Sequence, residues 1–125
     1  MGLELTRQLL DRGDHVIACC RRPDQATALV ESDALTVLPL DVTDPQSINE
    51  LPAQLENRGL ALDVLINNAG IAEQSERLGN LDAERMSKVF LVNTIAPLLL
   101  SQALVPWLER SPNPQIFCVS SLLGR

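Results

Sequence analysis

Hydrophobic positions along this chain alternate between a helical spacing and short continuous runs. Residues 3–12 set Leu5 and Leu9 on one helical face, and Gly13 is a natural stop. Residues 15–20 form a short apolar strand, closed by the polar turn Arg21, Arg22, Pro23, Asp24. A brief helix is expected over residues 25–31 and a second strand over 35–40. Asp44 before Pro45 reads as an N-cap with proline at the first helical position. Ile48, Leu51 and Leu55 give that helix its inner face, Pro52 kinks it, and Gly59 ends it. The third strand covers residues 62–67. Leu81 and Asp82 open a long helical segment running to Glu109, bent at Pro97 and Pro106. Residues 115–120 form the fourth strand. Strands that alternate with helices specify βαβ crossovers and therefore an α/β fold with a parallel sheet.

Bulk properties narrow the function classes. The 125 residues suit one small domain, 46% hydrophobic and 21% charged. Aromatics supply only 2%, so the core is built from Leu, Val, Ile and Ala. A net charge of −6 without a basic cluster argues against a nucleic-acid partner, because phosphate contacts need concentrated Lys and Arg. No apolar run is expected to reach the about 20 residues of a membrane span, so no membrane partner is expected. Glu4 and Arg7 interrupt the opening segment, so no signal peptide is expected there. Cys19, Cys20 and Cys118 form no framework of bridges and read as reduced core residues of a cytoplasmic protein. A redox role for the vicinal pair is the sharper alternative. His15 reads as structural, and no metal site is expected, since no His, Cys or carboxylate cluster has ligand spacing.

The most informative stretch is Leu62, Asp63, Val64, Leu65, Ile66, Asn67, Asn68, Ala69, Gly70. Its apolar part has the composition of a parallel strand covered on both faces. Ligands of open α/β sheets bind just beyond the carboxyl ends of such strands. Two Asn side chains there can tie neighbouring backbone together, and Gly70 leaves room for a flat group to approach the main chain. This Asn-Asn-Ala-Gly after a strand resembles the hallmark of the short-chain dehydrogenase/reductase family. The resemblance covers residues 1–125 as a partial NAD(P)-binding domain and implies a Rossmann-type, doubly wound parallel sheet.

That sheet is expected to be incomplete. In the family a strand and a glycine-rich turn precede the first helix, and Gly2 corresponds to the last glycine of that turn. The first strand of a doubly wound sheet lies between the second and the fourth, so it is the one that joins the two halves. Without it, two apolar strands carry unpaired edges, and the isolated chain is expected to be marginally stable or to aggregate.

Further residues take their roles from the resemblance. Cys20, Arg21 and Arg22 occupy the turn that selects between nicotinamide cofactors. An acidic side chain there accepts from the ribose hydroxyls of NAD, whereas Arg21 and Arg22 suit a 2′-phosphate. NADP (as NADPH) is therefore expected over NAD, although two arginines in a turn also make ordinary solvated surface. Asp41 and Val42, after the second strand, match the family position near the adenine ring, and a turn cap explains Asp41 equally well. Asn93, within an apolar helix and four residues before Pro97, either bridges a backbone kink or, as the family implies, bends the helix and holds a water beside a catalytic lysine. Ser121 matches the family serine that donates to a substrate carbonyl oxygen, and turn chemistry is its plainer reading. The family's acid, a Tyr followed four residues later by Lys, has no counterpart: the chain has no Tyr, and its one lysine is Lys88.

Within the family the motifs most resemble the C-factor and sniffer-type carbonyl reductases. The activity implied is hydride transfer from NADPH to a ketone or aldehyde, with a small-molecule carbonyl substrate and homo-oligomerisation, which in the family often runs through the helix holding Asn93 and the helix that follows it. The residues present supply Ser121, Asn93 and part of the cofactor cradle, Gly2, Arg21, Arg22, Asp41, Val42, Asn67, Asn68, Ala69 and Gly70. Three readings stand at this point: a fragment of such an oxidoreductase, inactive alone; a non-catalytic nucleotide-binding or signalling protein related to C-factor; and a degenerate remnant.

Overall fold

The computed structural model describes residues 1–72 and 78–121. Contacts divide the chain into two compact units, Met1–Asp41 and Val42–Arg125. The α/β expectation holds in both: all paired strands run parallel, and they form two two-stranded sheets.

In the first unit, α1 spans Gly2–Asp11. Thr6 is buried on it because its hydroxyl donates back to the Gly2 carbonyl at 3.0 Å, so the polar group is satisfied inside the helix. Gly13 ends the helix with φ of 91°. Its N–H bonds to Leu10 O at 2.9 Å and that of Asp14 to Leu9 O at 3.0 Å, the paired closure that a left-handed glycine permits. Strand β1 (Val16–Cys20) then pairs with β2 (Leu35–Pro39), Val16 opposite Leu35 and Cys20 opposite Pro39. Leu35, Val37 and Leu38 of β2 are buried, as is Leu40 just beyond it. On the far edge of β2 the Glu31 carboxylate accepts from the Val37 N–H at 3.0 Å, which occupies a donor that a lone edge leaves open.

The helix expected over residues 25–31 does not form. A single 3-10 turn, Pro23–Gln25, takes its place. The segment offers no apolar face to bury: Val30 stays 76% exposed, and Thr27 and Ala28 are exposed beside it. So short a run cannot offset helix nucleation without tertiary packing.

In the second unit, α2 spans Pro45–Asn57 and runs through Pro52. Asp44 caps it, accepting from the Gln46 N–H at 2.9 Å. Ile48, Leu51 and Leu55 are buried as the spacing requires, and Gly59 repeats the α1 ending, with Leu60 N bonded to Leu55 O at 2.9 Å. Strand β3 (Val64–Asn67) pairs with β4 (Gln115–Cys118), Val64 opposite Gln115 and Asn67 opposite Cys118. Both strands are shorter than the apolar runs containing them.

The crossover between β3 and β4 is helical. After Asp82, which caps by accepting from the Arg85 N–H at 2.9 Å, α3 covers Ala83–Phe90. A π-helical turn, Leu91–Ile95, joins it to α4, Ala96–Leu108. The break falls before Pro97, where a missing N–H disturbs the α-helical ladder. Helix α4 continues through Pro106. Val92, Ala96, Leu100, Leu104 and Leu108 are buried at intervals of four, and α4 packs on α2, β3 and β4.

Two sequence expectations are corrected here. The continuous helix Ala83–Leu108 has 26 residues and a stretch of mean hydropathy 1.7, long and apolar enough to cross a membrane by length and composition. Polar Asn93, Ser101 and Gln102 mask that length to the eye, yet no charge interrupts the last 18 residues. Only 22% of that stretch is buried, along the stripe that faces α2, β3 and β4. The cysteines, although all free, are not all core residues: Cys19 and Cys118 are exposed. For Cys118 the reason is that β4 is exposed along its whole length, Phe117 to 51%.

The caps give a direct test of the second unit. Replacing Asp44 with Ala removes the acceptor for Gln46 N–H and should cost about 1 kcal/mol, read as a lower urea midpoint with an unchanged slope. Asp44→Asn should recover most of that loss.

Candidate functional site

The chemistry-bearing residues gather at the carboxyl ends of the strands. In the second unit β3 ends at Asn67, which is buried to 7% exposure. Burial of an amide needs partners. Its Nδ2 donates to Ser101 Oγ at 3.4 Å and lies 3.7 Å from Cys118 Sγ, while the Ser101 hydroxyl donates to Pro97 O at 2.7 Å. One side chain thus ties β3 to α4 and to β4. Asn68 follows with its Oδ1 buried and without a donor among the described residues. Ala69 and Gly70 are exposed, so the backbone after the strand lies open.

Asn93 does not bridge a kink within its own helix. Its Oδ1 accepts from Ile71 N–H at 2.9 Å and its Nδ2 donates to Ile71 O at 2.7 Å. The π-helical turn sets Asn93 opposite the loop after β3, and the amide then satisfies both backbone groups of one residue. The Asn93 side chain is exposed, and it is the clamp rather than desolvation that fixes it. A Cβ at Gly70 would meet Asn93 Oδ1 at 3.6 Å, ordinary van der Waals contact, so Gly70 faces the clamp without being required by it. Pro97 brings no N–H to the Asn93 carbonyl four residues back, so that carbonyl lacks its usual α-helical donor.

The other strand end lies beside this one. Val119 N–H donates to Asn67 O at 3.0 Å, extending the β3–β4 pairing, and Ser120 and Ser121 follow directly, both exposed. Ser121 closes the described part of the chain. Val42, half-buried, opens this unit.

In the first unit, Leu40 N–H donates to Cys20 O at 2.9 Å, so Arg21 and Asp41 begin where the two paired strands end. Arg21 and Arg22 are exposed, and Arg22 Nη1 donates to Gln25 Oε1 at 3.3 Å. Gly2 opens α1, and Asp41 is half-buried. Cys19 and Cys20 are neighbours on a strand, so their side chains point to opposite faces, which argues against a vicinal redox pair. Desolvation first, and Cys20 second, push the Cys19 thiol up to about 11, although the residue keeps enough open surface to be exposed. Such a thiol is protonated at neutral pH and a poor nucleophile.

The structure therefore brings Asn67, Asn68, Ala69, Gly70, Asn93 and Ser121 to one end of the second sheet, and Arg21, Arg22 and Asp41 to the corresponding end of the first. Ile71 and Ser101 are the partners that sequence reasoning missed. Ile71 acts through its backbone, which no residue type reveals. Ser101 left one signal, a hydroxyl four residues after a proline in an apolar helix. No group of three His, Cys, Asp or Glu fit to hold a metal ion occurs among the described residues.

Asn93→Ala removes both hydrogen bonds to Ile71. The Ile71 amide should then exchange with solvent about tenfold faster, measured residue by residue, with a loss of stability of about 1–2 kcal/mol.

The chain matches the short chain dehydrogenase family over residues 1–125. It is 32% identical over 128 residues to Oxidoreductase BOA17 of Botryotinia fuckeliana (strain B05.10), covering 100% of this chain and 46% of that protein. Human retinol dehydrogenase 5 is 34% identical over 128 residues, 99% of this chain and 40% of the relative. Among solved structures, NADPH-bound carbonyl reductase from chicken fatty liver superposes with a TM-score of 0.88 at 37% identity, covering 98% of this chain and 56% of that one. A carbonyl reductase from Pseudomonas aeruginosa PAO1 in complex with NADP gives 0.83 at 31% identity, with 98% and 54% covered. The chain spans about half the length of the relatives it matches. From its first helix to the serines after its fourth strand, the chain belongs to the short-chain dehydrogenase family.

Proposed function

We propose that these 125 residues are the cofactor-binding portion of an NADPH-dependent carbonyl reductase acting on a small ketone or aldehyde. The observation that carries this reading is the clamp of Asn93 on Ile71, which holds the open backbone of Ala69 and Gly70 at the end of a parallel strand. The similarity to an NADPH-bound carbonyl reductase supports the cofactor and the reaction class. Bound NADPH would supply the hydride.

Each residue then has a task. Arg21 and Arg22, exposed after β1 with no carboxylate in the same turn until Asp24, pair with a 2′-phosphate, and this favours NADP over NAD. Asp41 and Val42 border the adenine, Gly2 allows α1 to approach, Asn67 and Asn68 position the loop, and the exposed backbone of Ala69 and Gly70 lines the nucleotide. The Ser121 hydroxyl donates to the substrate carbonyl oxygen and orients it. The Asn93 carbonyl, deprived of an N–H by Pro97, is available to hold a water. None of these groups is an acid that can protonate the carbonyl oxygen, and Lys88 sits on the exposed surface of α3. The 125 residues alone should therefore bind without turnover. Unpaired cysteines support a cytoplasmic setting, and a homo-oligomer follows from the family.

Calorimetric titration with 2′,5′-ADP and 5′-AMP tests the cofactor assignment. The chain should prefer 2′,5′-ADP by about ten- to a hundredfold, and Arg21→Ser with Arg22→Ser together should abolish the preference. Equal affinity for the two nucleotides in the unsubstituted chain would overturn the NADP assignment, and binding of neither would overturn the nucleotide-binding reading itself.

A further inference from the structure

The second unit carries a cavity at the end of the sheet opposite residues 67–70. It measures about 450 Å³ and lies where α2 and α4 both finish and where β3 begins. Its walls come from Glu56 and Gly59 at the end of α2, from Leu60 and Leu62 before β3, and from Trp107 and Arg110 at the end of α4. That volume is in the range that holds small organic ligands.

The chemistry of the walls favours one charge. Two helices present carboxyl-terminal ends here, and the backbone dipole at such ends attracts cations. Glu56 and Asp63 add two carboxylates, with Asp63 Oδ1 accepting from the Ser111 hydroxyl at 2.5 Å. An aromatic face completes the set. The guanidinium of Arg110 sits 4.5 Å from the centre of the Trp107 ring and 3.7 Å from Glu56. A cation therefore already rests on the indole, beside a carboxylate, and it comes from the chain itself. Its hold is weak: the Arg110 and Glu56 side chains are 62% and 67% exposed, and an ion pair so open to water contributes little. The Trp107 Nε1 is buried with no acceptor among the described residues, and the ring rests on packing and on this stacking.

We propose that this cavity is a binding site for a small organic ammonium ion with an apolar body, and that Arg110 occupies it as a displaceable internal stand-in. The ammonium takes the Trp107 face and the field of Glu56 and Asp63, while the apolar body lies against Leu60, Leu62 and Pro112. Arg110 swings into solvent. The site uses none of the residues assigned to the nucleotide.

The chain provides its own reporter, since Trp107 is the one Trp and there is no Tyr. Trp107 fluorescence would be titrated with tetraethylammonium chloride, against sodium chloride at equal ionic strength, and its single indole N–H resonance followed in parallel. Saturable changes in both signals with the ammonium salt are expected, and none with sodium. Arg110→Ala, which vacates the stand-in, should tighten binding about twofold to fivefold. Glu56→Gln should weaken it about threefold or more. Both positions are mostly exposed, and an unchanged far-ultraviolet circular dichroism spectrum verifies that each variant is folded. Responses that sodium chloride reproduces would overturn the site. Weaker or unchanged binding in Arg110→Ala would overturn the stand-in.

Discussion

Two hydrogen bonds between one amide side chain and one residue's backbone hold the candidate site together. Asn93 accepts from Ile71 N–H and donates to Ile71 O, across 22 positions of sequence. A loop that follows a strand has no ladder to fix it, and its backbone groups must find other partners. Here a single residue supplies both. Everything the site needs of the loop, above all the open main chain of Ala69 and Gly70, depends on that pairing. It depends in turn on the π-helical turn that carries Asn93, and on Pro97, whose missing N–H favours a break in the α-helical ladder at that place.

Asn67 secures the same region from below. Its buried amide reaches Ser101 on α4 and lies against Cys118 on β4, so strand, helix and neighbouring strand share one polar contact in an otherwise aliphatic core. The two adjacent asparagines are thus unequal. Asn67 is satisfied and structural, and Asn68 keeps a carbonyl oxygen without a donor among the described residues. Identical side chains diverge because Asn67 is the last residue of β3, whereas Asn68 lies in the loop beyond it.

Much of this was legible in the order of residues, and the misses have physical causes. Caps were readable because Asp44 and Pro45 act within one turn, and both helix-ending glycines because a left-handed residue leaves few alternatives. Residues 25–31 were misread because helix formers without an apolar face gain nothing from tertiary packing. The position of Asn93 in a bent helix was visible, but its partner was not: a contact 22 residues away to a backbone leaves no mark in side-chain types. Burial at Cys118 was misjudged since a strand's apolar composition says what could cover it, not what does.

The buried stripe of the long helix has a geometric consequence. Within α4, Ala96, Leu100, Leu104 and Leu108 recur every four residues, whereas an α-helix turns by about 100° per residue, so each step advances the seam by about 40°. Across those three steps the seam winds through about 120°, a third of a circumference. One rod can then lean on α2, β3 and β4 together. A rod gripped along a spiral cannot roll about its own axis without losing contact somewhere. The angle at which Asn93 leaves the helix is therefore set along its whole length, as far away as Leu108.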